Sequence, residues 1–84
     1  MDTDINYVTV VFSGVTDPQQ LDEIVNSVVN YPIVYKKEQN NGVVAYVVQG
    51  VLPDIASNIF VQALQNNGID YVKVVTTTGN IFKL

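Results

Sequence analysis

Asn40-Asn41-Gly42 stands near the middle of the chain, between two runs of β-branched and aromatic residues, 33–38 and 43–49. A two-residue hairpin turn requires positive φ at its central positions, which Asn and Gly tolerate best, so the tripeptide predicts an antiparallel hairpin. With Asn41-Gly42 as that turn, Lys37 falls opposite Tyr46 and Tyr35 opposite Val48. Whatever lies on either side must return to the same sheet.

Both flanks read as a strand and a helix. Tyr7-Val8-Thr9-Val10-Val11-Phe12 is a strand ended by Ser13-Gly14. Thr16-Asp17-Pro18-Gln19-Gln20 then starts a helix, with Asp17 able to cap and Pro18 at the first helical position, where a missing N–H costs nothing. Leu21, Ile24, Val25, Val28 and Val29 form one apolar stripe, and Tyr31-Pro32 stops the helix. Beyond the hairpin, Gly50 ends a strand and Pro53 opens a second helix with Ile55, Ile59, Phe60, Ala63 and Leu64 on one face. Asn66-Asn67-Gly68 closes that helix. Residues 69–76 predict a strand in which Val72 and Val74 alternate with Tyr71 and Lys73, and Thr78-Gly79-Asn80 predicts a turn into a short strand over 81–84.

The order is β-α-β-β-α-β, without a linker. Helical crossovers of this kind are right-handed, which lays both helices on one face of a four-stranded antiparallel sheet. This is an α+β, ferredoxin-like two-layer sandwich, a single domain over 1–84 with strand order 4-1-3-2. A hydrophobic fraction of 48% in only 84 residues supports a compact core rather than disorder.

Composition narrows the chemistry. The chain has no Cys and no His, and its four positive charges are Lys36, Lys37, Lys73 and Lys83, so it also lacks Arg. The usual general base, thiol nucleophile and zinc ligands are therefore missing. Asp22 and Glu23 are adjacent, but neighbouring helical positions diverge by about 100° and do not converge on one substrate. Asp2, Asp4 and Asp70 lack the alternating spacing of a calcium loop, and the glycines form no phosphate-binding pattern. No enzyme activity, cofactor or metal is expected. A net charge of −4 also disfavours nucleic acid. Met1-Asp2-Thr3-Asp4 is unlike a basic signal-peptide start, and the apolar run 43–48 is too short to span a bilayer, so a cytoplasmic location and no membrane partner are expected.

Two features carry a functional expectation. In the predicted register Tyr7, Tyr35, Tyr46 and Tyr71 share the helix-free sheet face with Thr9, Val11, Val48, Lys73 and Val75. Val8, Val10, Phe12, Val34, Ala45, Val47, Val72 and Val74 face the helices. An aromatic, apolar open face marks an interaction surface, and Tyr7, Thr9, Val11, Tyr35, Tyr46, Tyr71 and Lys73 are its candidate contacts with another protein or a second copy. RRM domains hold RNA on such a face, but the acidic balance and the lack of an RNP motif weigh against that partner.

The other feature is the loop Ser13-Gly14-Val15-Thr16-Asp17-Pro18. The stretch from Thr16 to Val25 resembles the start of helix one in ACT-type regulatory domains, although Gln19 stands where that family usually has glycine. The resemblance implies an amino-acid or other small-molecule ligand at Ser13, Gly14, Thr16 and Asp17. The leading expectation is a small, acidic, non-enzymatic interaction module, a regulator or inhibitor of the kind phages encode; the alternative is an ACT-like sensor.

Overall fold

The computed structural model describes residues 6–28 and 30–82. Strand β1 (Tyr7–Ser13), helix α1 (Pro18–Val28), strands β2 (Ile33–Glu38) and β3 (Val44–Gln49), helix α2 (Pro53–Asn66) and strand β4 (Lys73–Thr78) follow in chain order. The strands form one antiparallel sheet ordered β2-β3-β1-β4, and with both helices on one face the fold is the expected ferredoxin-like sandwich. No described helix is long and apolar enough to cross a membrane.

Local chemistry sets the helix ends. The Asp17 carboxylate accepts a hydrogen bond from the Gln20 N–H at 3.2 Å, and Leu21, Ile24 and Val25 bury the α1 stripe. Val29, read as part of that stripe, lies outside the described residues. At the end of α2 the N–H of Gly68 bonds the Gln65 carbonyl and that of Ile69 the Leu64 carbonyl, a Schellman closure. Ile69 and Leu64 are both buried in the core.

The core lies between the helices and the two central strands. Phe12 sits at its middle, edge-on to Tyr46 at 5.7 Å and to Phe60 at 5.6 Å. Such T-shaped contacts set the positive ring edge against the negative ring face.

Several readings of the sequence need correction. The hairpin closes at Gln39 and Val43, leaving a three-residue loop in place of a two-residue turn. Lys36, not Lys37, therefore pairs with Tyr46, and Tyr35 pairs with Val47. That one-residue slip turns β3 over: Val44, Tyr46 and Val48 face the helices, and Ala45 and Val47 face away. A bulge between Ile33 and Tyr35 puts Ile33 against the core and leaves Val34 44% exposed rather than inward.

Helix α2 buries Ala56, Phe60, Ala63 and Leu64, while Ile55 is exposed. Ala56 and Ala63 belong to the core cluster with Phe60 and Leu64, and Ile55 falls outside it. Strand β4 begins at Lys73, not at 69, because Ile69 belongs to the closure of α2. Of the predicted strand over 81–84, Ile81 and Phe82 form a turn, and 83–84 lie outside the described residues.

Candidate functional site

On the helix-free face β1 presents Tyr7, Thr9, Val11 and Ser13, and β4 presents Lys73, Val75 and Thr77. β3 contributes Ala45 and Val47, and β2 contributes Tyr35 and Lys37. The face is not open at its centre. Thr9 and Val47 are fully buried and Ala45 is nearly so.

The chain's own 79–82 segment covers them. The Gly79 N–H bonds the Tyr7 carbonyl, and the Thr9 hydroxyl donates to the Gly79 carbonyl at 2.7 Å. The same hydroxyl accepts from the Ile81 N–H at 3.2 Å. Asn80 turns the segment by accepting from the Phe82 N–H at 2.9 Å, an Asx-turn. The Phe82 ring then reaches Tyr35 at 5.0 Å, with the Lys37 ammonium 5.7 Å from its centroid. The segment thus runs from β4 across β1 and β3 to β2.

Thr9→Val is expected to lower stability by about 2 kcal/mol, because it leaves the Gly79 carbonyl and the Ile81 N–H without their partner. Urea unfolding checks the loss, and faster proteolysis near Phe82 should accompany it.

The tyrosines expected together are dispersed. Tyr46 is fully buried in the core on the helix side, a direct consequence of the hairpin register. Tyr71 precedes β4 and is 55% exposed. It lies beside Thr16 at the far end of β1 from Tyr7, about 20 Å along the seven-residue strand. Tyr7, Thr9, Val11, Tyr35 and Lys73 do lie on the expected face, with Tyr7, Val11 and Tyr35 half-buried. Ile81 and Phe82 were missed as members of the face. Their signal was an apolar pair just after the Gly79-Asn80 turn, where a phenyl ring needs cover.

In the β1–α1 loop the polar groups find partners in neighbouring elements. Val15 donates its N–H to the Gly42 carbonyl at 2.9 Å, tying the loop to the hairpin tip. The Thr16 and Tyr71 hydroxyls share a contact of 3.3 Å, and Asp17 caps α1. A Cβ on Gly14 would lie 3.1 Å from the Tyr71 carbonyl oxygen, so glycine permits this close approach. Ser13 pairs with Lys73 at the start of β4. Among the described residues no group of three or more His, Cys, Asp or Glu side chains could hold a metal ion.

Tyr46 centres a polar cluster on the helix side. Its hydroxyl donates to Asp22 Oδ1 at 3.2 Å, and Lys36 Nζ lies 3.1 Å from the same oxygen and 5.7 Å from the Tyr46 ring centroid. Burial, then the nearby negative charge of Asp22 and its hydrogen bond, push the Tyr46 phenol well above the ordinary tyrosine value. A raised phenol favours the protonated native state, so its stabilisation is complete below the unfolded-state value of about 10 and is lost as pH rises through the native one. Wild-type protein should therefore destabilise above about pH 10 more steeply than Tyr46→Phe. Parallel urea midpoints for the two proteins between neutral and alkaline pH would refute this.

Comparison with protein-family models, with curated proteins and with solved structures gives no match.

Proposed function

We propose that the chain is a small, acidic, non-enzymatic protein-interaction module of regulatory kind, working through the helix-free sheet face as reshaped by the 79–82 segment. The observation that carries this reading is the exposure of Val75 and Ile81 on that face, 49% and 51%. Half-buried Tyr7, Val11 and Tyr35 extend the apolar surface, and Lys37 and Lys73 supply positive charge on it. Apolar surface of this kind favours removal from water by a partner, and tyrosine is ordered there at little entropic cost. Leu52 and Ile55 are exposed too, but they flank Asp54 at the start of α2. The absence of His, Cys and Arg supports a binding role over a catalytic one.

The test is affinity capture from native cells, comparing wild type with the Val75→Asp/Ile81→Asp double variant. Both side chains point to solvent, so the variant should fold, as a matching CD spectrum would confirm. A stoichiometric partner, including untagged copies of the chain itself, should be retained by wild type and lost by the variant. Equal retention by both would move the function to another surface.

A further inference from the structure

The sheet has two edges, and they are not alike. The β2 edge is guarded by the bulge at Val34 and by Lys36, Lys37 and Glu38, the devices that keep natural edge strands from pairing. The β4 edge is Lys-Val-Val-Thr-Thr-Thr, with no bulge against β1, no proline and one charge at its start.

The ladder phase shows which groups this edge offers. The Gly79 N–H bonds the Tyr7 carbonyl, so the alternation of an antiparallel pair turns 73, 75, 77 and 79 toward β1. The N–H and C=O groups of Val74, Thr76 and Thr78 point outward. Beside them, α2 and the sheet leave a groove whose apolar lining is Val61, Leu64, Ile69, Val72 and Val74, with Gln65 and Asp70 completing it. Val61 is 37% exposed at its rim.

Charge selects the approach. Two copies of a chain with net charge −4 repel, so they must meet where charge is sparse. Residues 55–69 and 74–82 carry no charged side chain, and these stretches build the flank of α2 and the edge of β4 that is unpaired among the described residues, with Asp70 and Lys73 the charges at its start. Interface cores show the same depletion of charge.

We infer that two copies of this chain pair β4 to β4 in antiparallel register about Thr76, forming a continuous eight-stranded sheet. This inference rests on the reading of the chain as an interaction module and names its partner as a second copy. In that register Val74 faces Thr78 of the other copy, and Thr76 faces Thr76. All three outward positions become hydrogen-bonded pairs, giving about six hydrogen bonds. On the helix-free face exposed Val75 meets Thr77 of the other copy, while each Lys73 falls opposite Gly79, so the two ammonium groups stay apart. Helix α2 packs over β4 and β1. With a strand spacing of about 4.8 Å, the two α2 helices then lie roughly 10 Å apart, close enough for the Val61 side chains to cover the grooves between them. The guarded β2 edges stop growth at two copies, a closed two-fold assembly.

Sedimentation equilibrium on the full chain tests this with two variants. Thr76→Pro deletes an outward N–H and no bond to β1, and edge strands tolerate proline at such positions. Val61→Glu sets two carboxylates across the two-fold axis from a side chain already partly exposed. Wild type should be dimeric, and each variant should keep its CD spectrum while its dissociation constant rises roughly 100-fold or more. A wild type that stays monomeric up to about 1 mM, near the weak limit of specific association, would overturn the inference. So would a dimer indifferent to both variants. Neither variant alters Val75 or Ile81, so a dimer dissociated only by Val75→Asp/Ile81→Asp would keep the interaction reading and place the contact on the sheet face.

Discussion

Val25→Asp should leave the chain unfolded at 25 °C, with the CD spectrum of a coil. Val25 is fully buried on the α1 stripe, packed in the core formed with the sheet. An aspartate there has either an ionised carboxylate without a partner or a carboxylic acid held neutral in an apolar site, at a cost of several kcal/mol. A domain of this size has a total stability of about 4–12 kcal/mol, so a single change can exhaust it. Gln19→Asp puts the same carboxylate at an exposed position in the first turn of α1, where the helix dipole favours negative charge. That variant should melt within a few degrees of wild type. A cooperative melt for Val25→Asp near the wild-type temperature would mean that α1 does not pack as described.

Gly42→Val is expected to cost about 3 kcal/mol, lowering the melting temperature by roughly 15 °C. Gly42 has φ +80°, where a β-branched residue is strained, and its Cβ would lie 3.0 Å from the Val15 carbonyl oxygen. The Val15 segment cannot simply retreat, since its N–H is bonded to the Gly42 carbonyl. Gly68 separates the two effects. It has φ +72° with no atom within 4 Å of its would-be Cβ, so Gly68→Ala carries only backbone strain, about 1 kcal/mol. Equal melting temperatures for the two variants would show that the hairpin tip does not pack on the β1–α1 loop.

Gly42 is also where reading from sequence and folded geometry part company. Asn40-Asn41-Gly42 announced a hairpin, and a hairpin forms, but positive φ at Gly42 serves a three-residue loop as well as a two-residue turn. The choice between them is one residue of register, and one residue reverses every side chain of β3. Tyr46 therefore reads as a surface tyrosine and lies in the core, where its hydroxyl keeps a polar partner in Asp22. Helix starts were plainer: Asp17 and Pro18 act locally, and the structure shows the cap they predict. Strand β1 was also legible, because its alternation settles its faces without reference to a partner. The cover over the sheet was harder to read. It depends on Thr9 meeting residues some seventy positions later, a contact no local pattern contains.

The proposed role depends on the shape of that covered face, and solvent paramagnetic relaxation of methyl protons measures it directly. With a soluble gadolinium chelate, the methyl groups of Ala45 and Val47 should relax slowly, shielded beneath the 79–82 segment, while those of Val75 and Ile81 relax fast. Nuclear Overhauser contacts between the Phe82 and Tyr35 rings should accompany the protection. Relaxation of Val47 as fast as that of Val75, with no contact from Phe82, would mean that the sheet face is bare and that its working surface is not the one described.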